Sequence, residues 1–176
     1  MLDSEARHRF YLEDSSFFNN SASYARAVYS SNISLNLTKC TFEKNYAELD
    51  GGALEVTCPK FKDCQSYLTQ SAFRLNVAGR NGGGIKWNHA MPQISNNSFQ
   101  NNSAAYGPDV ASYPVSLVLL DQNETEATNK VAQETSFAPG QITEKPIKIA
   151  FVDHYQNIVT TDNSSQASIQ TLTKNC

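Results

Sequence analysis

One pattern recurs four times along this chain: Phe, two residues, Asn, one residue, Ala. It stands at Phe17/Asn20/Ala22, Phe42/Asn45/Ala47, Phe73/Asn76/Ala78 and Phe99/Asn102/Ala104, with the phenylalanines 25, 31 and 26 residues apart. Such a period makes each unit one piece of supersecondary structure that buries its apolar face only by stacking on its neighbours. Other columns align with the same spacing. Five residues before each Phe stand Leu12, Leu37, Leu68 and Ile94, and two before stand Ser15, Cys40, Ser71 and Asn97. Twelve after stand Tyr29, Leu54, Ile85 and Ala111, and the middle copies carry Gly51-Gly52 and Gly82-Gly83 just ahead of that position.

The content of the unit selects its architecture. Leucine-rich repeats have a similar period but a dense leucine spacing that is missing here, and helical repeats are longer. Short alternating segments separated by Asn, Gly and Ser are strand-and-turn chemistry. Units stacked one strand spacing apart, about 4.7–4.9 Å, predict an all-β fold: a right-handed parallel β-helix of about four coils. Phe would then stack on Phe, and Asn20, Asn45, Asn76 and Asn102 would form an amide ladder, as asparagines do in stacked sheets. This accounts for part of an unusual surplus, 17 Asn in 176 residues, as many as all Asp and Glu together.

The 31-residue interval exceeds the first by six residues and holds Cys58-Pro-Lys-Phe-Lys-Asp-Cys64. Two cysteines six apart can close a small loop as a disulfide, which predicts a stapled hairpin outside the repeat register and an oxidising compartment. A zinc site is the competing reading, but it needs two further ligands and no matching Cys pair exists. Cys40 falls in the small-residue column and is read as a buried thiol; the mate of Cys176, if any, is open. Sequons stand at Asn19, Asn32, Asn36, Asn96, Asn101, Asn123 and Asn163, against about three expected from this composition. They predict glycosylation and an extracellular or cell-surface setting. The charged start, Met1-Leu-Asp-Ser-Glu-Ala-Arg-His-Arg9, contains no apolar core of a secretion signal.

Composition excludes other classes. The net charge of −3 offers no basic footprint for nucleic acid, and the longest aliphatic run, Val115 to Leu120, contains Ser116 and is far too short to span a bilayer. Past Tyr113 the columns end. Val115–Leu120 reads as a strand, 121–134 as a polar loop and 136–140 as a turn. Next come a half-buried strand with Ile147, Ile149 and Phe151 inward, a turn at Asp153–Asn157, an extended stretch at Ile158–Thr161 and a further strand at Ser168–Leu172. The division is therefore 1–113 β-helix repeats, 114–140 connecting segment and 141–176 the start of an incomplete immunoglobulin-like sandwich, since a full one needs about seven strands.

The pair of motifs in Phe42-Glu-Lys-Asn45 and Gly51-Gly-Ala-Leu54 resembles the repeats of chlamydial polymorphic outer-membrane proteins. The chain is closer still to the pectin-lyase-like β-helix modules of very large ciliate surface proteins. Tyr106-Gly-Pro-Asp-Val-Ala-Ser-Tyr-Pro114 is similar to the segment that closes such helices. The stretch from Phe151 to Ser165 is similar to the strand pair that follows. The likeness implies a segment of a membrane-anchored parent protein with no assigned catalysis.

A polysaccharide lyase or hydrolase on the same fold, or a sugar-binding remnant, is the alternative. It requires clustered carboxylates for Ca²⁺ or a paired acid and base. Eight after each Phe stand Ala25, Asp50, Asn81 and Gly107, and three before stand Asp14, Lys39, Gln70 and Asn96, one acid in each column. His8, His89 and His154 share no column. Asp153-His154 superficially matches a lyase segment but lies outside the repeat. Trp87 with His89 and Lys86 could line a sugar face, or Trp87 could be core with exposed neighbours. The reading adopted is a non-catalytic structural or adhesive module with no catalytic, cofactor or metal residues. Its partners are flanking domains or neighbouring surface proteins, and glycans, without nucleic-acid or membrane contact of its own.

Overall fold

The computed structural model describes residues 9–23, 27–59, 64–120 and 148–162. Asn123, Asn163, Cys176 and the expected loop, turn and strand at 121–134, 136–140 and 168–172 lie outside them. All regular structure among the described residues is β.

Each repeat folds into the same succession of short strands. The first repeat gives β1 (Arg9–Glu13), β2 (Ser16–Phe18), β3 (Ser21–Ala22) and β4 (Val28–Ser31). The second gives β5 (Ser34–Thr38), β6 (Thr41–Glu43), β7 (Tyr46–Ala47) and β8 (Leu54–Thr57), and the third β9 (Tyr67–Thr69), β10 (Ala72–Arg74), β11 (Val77–Ala78) and β12 (Ile85–Asn88). The fourth contributes β13 (Gln93–Ser95), β14 (Ser98–Gln100) and β15 (Val110–Ala111). Strands of equal rank pair in parallel. The sheets run β1-β5-β9-β13, β2-β6-β10-β14, β3-β7-β11 and β4-β8-β12-β15, so each repeat is one rung of a four-rung stack. Corners between strands turn on left-handed residues at fixed columns: Asp14, Lys39, Gln70 and Asn96 before each Phe, and Asn19, Lys44, Leu75 and Asn101 after it, all with φ between 46° and 56°. The corner ahead of β12 needs glycine, because a Cβ on Gly82 (φ +67°) would lie 2.5 Å from the Ile85 carbonyl oxygen.

Two columns hold the rungs together. Phe17, Phe42, Phe73 and Phe99 stack with ring centroids 4.7, 4.9 and 5.2 Å apart, a spacing set by the strands they stand on. Beside them runs an amide ladder. Asn45 Nδ2 donates to Asn76 Oδ1 at 2.9 Å, and the Asn45 backbone N–H donates to the same oxygen at 3.0 Å. Asn20 bonds to Asn45, and Asn76 to Asn102, in the same way. The second amide hydrogen reaches back to the carbonyl of the preceding rung's Phe, from Asn45 to Phe17, Asn76 to Phe42 and Asn102 to Phe73. A backbone N–H can only donate, so the orientation of each amide is fixed and the ladder has a direction. Each interior Asn uses two donors and two acceptor bonds, its whole capacity.

The sequence reading found a second column, of small or polar residues, but not its bonding. The small position two before each Phe is also bonded rung to rung: Cys40 N–H donates to Ser71 Oγ, and Ser71 N–H to Asn97 Oδ1. Cys40 itself is a buried free thiol whose Sγ lies 3.4 Å from the Thr38 carbonyl oxygen.

The structure corrects one column. Val28, Leu54, Ile85 and Val110 pair in register, where the sequence spacing had placed Tyr29 and Ala111 with the middle copies. The outer rungs have one residue fewer between their Phe and this strand, and a one-residue slip moves every side chain to the other face. By the same shortening, Tyr106, and not Gly107, pairs with Asn81, which pairs in turn with Asp50. In the tail, β16 (Ser116–Leu119) lies in the expected connecting segment and pairs antiparallel with β17 (Ile149–Val152). Ile149 is exposed, Phe151 is partly buried and Val152 is the most buried residue of β17, while Ile147 lies outside the described residues.

Interior rungs are covered on both sides and outer ones on one, so the cost of truncation depends on position. We predict that Phe73→Ala costs about 4 kcal/mol and the half-buried Phe17→Ala less than half of that. Asn76→Leu, which strands the Asn45 N–H, the Asn45 amide and the Phe42 carbonyl, costs about 3 kcal/mol. Urea unfolding midpoints at constant slope check all three.

Candidate functional site

The densest chemistry lies where the tail meets the last two rungs. β12 carries Ile85 and Trp87 toward the core and Lys86 toward the opposite face, and all three are buried. Lys86 Nζ donates to the Ser112 carbonyl oxygen at 2.7 Å and lies 3.3 Å from Tyr106 Oη and 5.6 Å above the Tyr106 ring centroid. Tyr106 donates its hydroxyl to the same Ser112 oxygen. Ser112 N–H in turn donates to Asp153 Oδ2, and Ser112 Oγ accepts from His154 N–H. Asp153 is wholly buried and accepts four hydrogen bonds, from Ser112 N–H, Tyr155 N–H, Asn157 N–H and Asn157 Nδ2. These bonds tie the 153–157 turn to the Tyr106–Tyr113 segment.

Loss of hydration controls the electrostatics. Burial draws the Lys86 pKa down from 10.5 to about 8; nearby Asp50 and Asp153 counter this in part, and Arg80 adds to it. Burial pushes the Tyr106 hydroxyl well above its ordinary value, reinforced by Asp153 and Asp50. Tyr155 is also raised by burial, although its bond from Trp87 Nε1, 3.0 Å long, works the other way. With its nearest acceptors engaged, this Lys–Tyr–Asp set fastens the tail to the stack.

Trp87 is core and does not line an exposed face. Tyr113 and Tyr155 meet it edge-on at 5.9 and 6.4 Å, and His154 leans against it at 4.9 Å. His89, exposed and left-handed at φ 68°, stacks on Tyr113 at 5.7 Å. The expectation that both neighbours of Trp87 face solvent fails for Lys86, because the Tyr106–Tyr113 segment covers the outer face of its strand. Its partners could not be found from the repeat, since Ser112 and Asp153 stand after the last complete unit. The one available signal was the pairing of a basic Lys86 with an acidic Glu55 in a single column. Beside this junction an open hollow of about 230 Å³ is lined by Gly107, Pro108, Asp109, Val110, Tyr155 and Asn157. Asp109 Oδ1 accepts from Asn102 Nδ2 at 3.0 Å.

The remaining candidates are dispersed. Cys58 and Cys64 form a disulfide with Cα atoms 5.9 Å apart, at the mouth of the six-residue insertion. Asn19, Asn32, Asn96 and Asn101 are exposed and left-handed, whereas Asn36 lies half-buried within β5 with Oδ1 shielded from solvent. Asp50 is held by Arg80 through two bonds of 3.1 and 2.9 Å. Among the described residues no three His, Cys, Asp or Glu side chains converge as metal ligands, and no helix is long and apolar enough to cross a membrane. Comparison with family models, with curated proteins and with solved structures finds no match.

The buried ammonium sets a pH dependence. Below about pH 8 the folded protein bears the whole cost of an unhydrated charge; between about 8 and 10.5 it has released a proton that the unfolded chain keeps, so stability rises with pH there. Tyr106 opposes this only above its ordinary value of 10.0, where the unfolded chain ionises first. Thermal melts from about pH 7.5 to 9.5 are expected to show a gain of up to about 2 kcal/mol that Lys86→Met lacks.

Proposed function

We propose that this chain is a right-handed parallel β-helix module of the pectin-lyase-like kind seen in large ciliate surface proteins. In this reading it works outside the cell as a rigid structural or adhesive element, without catalysis of its own. Right-handed crossover is the rule for parallel connections, and the antiparallel pair after the stack is the start of an immunoglobulin-like unit. One observation carries the reading. Asparagines of two kinds are present: Asn45 and Asn76 are buried and bonded between rungs, while Asn19 and Asn101 stand at exposed corners as sequons. A stack of this kind keeps its shape through interior bonds and leaves its corners and the Cys58–Cys64 loop for contact with the outside. The disulfide supports an oxidising setting. Neighbouring surface proteins, flanking domains and glycans are the proposed partners.

Expression through a eukaryotic secretory route, followed by peptide mapping, tests this. Glycans are expected at Asn19, Asn32, Asn96 and Asn101 and not at half-buried Asn36, with Cys58–Cys64 oxidised. Bare asparagines with free thiols at 58 and 64, or new chain ends released from polygalacturonate, would contradict it.

A further inference from the structure

The corner that follows the Phe column is built from two kinds of rung. Its left-handed position is held by Asn19, Lys44, Leu75 and Asn101 in successive rungs, with φ of 54°, 56°, 56° and 53°. Two residues further on, Ser21, Tyr46, Val77 and Ser103 pair in register. The outer rungs therefore carry a whole sequon here, Asn19-Asn20-Ser21 and Asn101-Asn102-Ser103. At the same two positions the inner rungs carry Lys44 with Tyr46 and Leu75 with Val77. Asn19, Ser21, Asn101 and Ser103 are all exposed. Between them lies an apolar patch: Tyr46, Leu75 and Val77 are 45%, 42% and 36% exposed, although both rungs have a neighbour on each side. These three are contiguous, unlike the single apolar side chains that any surface exposes. Leucine gains nothing locally from left-handed backbone, whereas the short polar side chain of Asn can bond to it. Lys44 leaves the patch open. Its Nζ lies 5.4 Å over the Phe18 ring and 3.9 Å from Glu43 Oε1, both on the other side of the corner.

We propose that this apolar corner is the seat of the chain's own N-linked glycans. The first sugar on Asn19 lies against the Tyr46 ring, and the first sugar on Asn101 lies against Leu75 and Val77. Reach is not limiting, because each sequon stands one rung, about 4.8 Å, from the residues its sugar covers. The chemistry matches as well. A pyranose has a face of C–H groups and an edge of hydroxyls, the counterpart of a tyrosine ring with its polar tip. Attachment at both borders holds the two sugars beside the patch at high effective concentration. A second polypeptide would have to enter between two bulky, solvated chains. The inference rests on the extracellular reading, since it needs both sequons to be filled.

The test uses the full chain secreted by a eukaryotic cell. Nuclear Overhauser contacts are expected between the Tyr46 ring and the sugar on Asn19, and between the Leu75 and Val77 methyl groups and the sugar on Asn101. Ser21→Ala removes the first sequon at an exposed position and leaves Asn19 in place. It should lower the melting temperature by about 2–4 °C, and by much less in a protein that already carries Tyr46→Ser. Any cost of the Ser21 change to the backbone appears in both backgrounds and cancels. Bare Asn19 and Asn101 would overturn this proposal together with the extracellular reading. Two filled sequons without those contacts, and an equal loss from Ser21→Ala with and without the Tyr46 ring, would overturn this proposal alone. A dimer of the glycosylated chain in sedimentation that Tyr46→Ser disperses would also overturn it, because the patch would then be an interface between copies.

Discussion

Everything in this structure depends on a directed chain of amide hydrogen bonds. Asn20, Asn45, Asn76 and Asn102 each commit a side-chain oxygen to one neighbouring rung and amide hydrogens to both, wherever both neighbours exist. An interior asparagine that is one residue out of place would leave three or four buried polar groups without partners, at roughly 1–3 kcal/mol each. That cost fixes the register between rungs far more sharply than apolar packing can. Once the register is set, Phe falls on Phe and Leu on Leu, and a core forms that no single rung of about 25 residues could bury.

Direction has consequences at the ends. A ladder of identical bonds must begin with an unfilled acceptor and finish with unfilled donors. At the finish Asp109 accepts the Asn102 side-chain N–H, and the tail, which Asp153 folds into a turn, is fastened through Ser112, Lys86 and Tyr106. The near end has no equivalent device among the described residues, and this is where the exposed aromatic rings gather. One buried amine, Lys86, makes the far junction sensitive to pH, whereas the four ladder asparagines do not titrate.

What could be read from the sequence follows the same division. The four Phe and Asn columns were legible because each position in a stack meets its own copy, so that chemistry is written down four times. The Cys58–Cys64 loop was legible because its length matched the excess in one interval. The pairing of Val28 and Val110 with Leu54 and Ile85 was not, since a corner can lose a residue without leaving a composition mark. The burial of Lys86 was hidden for a different reason. Its partners Ser112 and Asp153 lie beyond the repeat, where no second copy exists for comparison, and an alternating pattern in the tail pointed to Ile149 where Val152 is the most buried residue of its strand. The second hydrogen-bonded column was visible only as a preference for small residues, because Ser, Cys and Asn share size more than a recognisable motif.

The central claim is that neighbouring rungs are coupled through the amide ladder and distant ones are not. A double-mutant cycle on Asn45→Ala and Asn76→Ala, followed by urea unfolding, measures that coupling directly. Adjacent rungs should give an interaction energy of about 1–3 kcal/mol, and the pair Asn20 and Asn76, separated by a rung, should add within about 0.5 kcal/mol. Simple additivity of Asn45 and Asn76 would contradict the account, because it would mean that the ladder bonds do not hold the stack together.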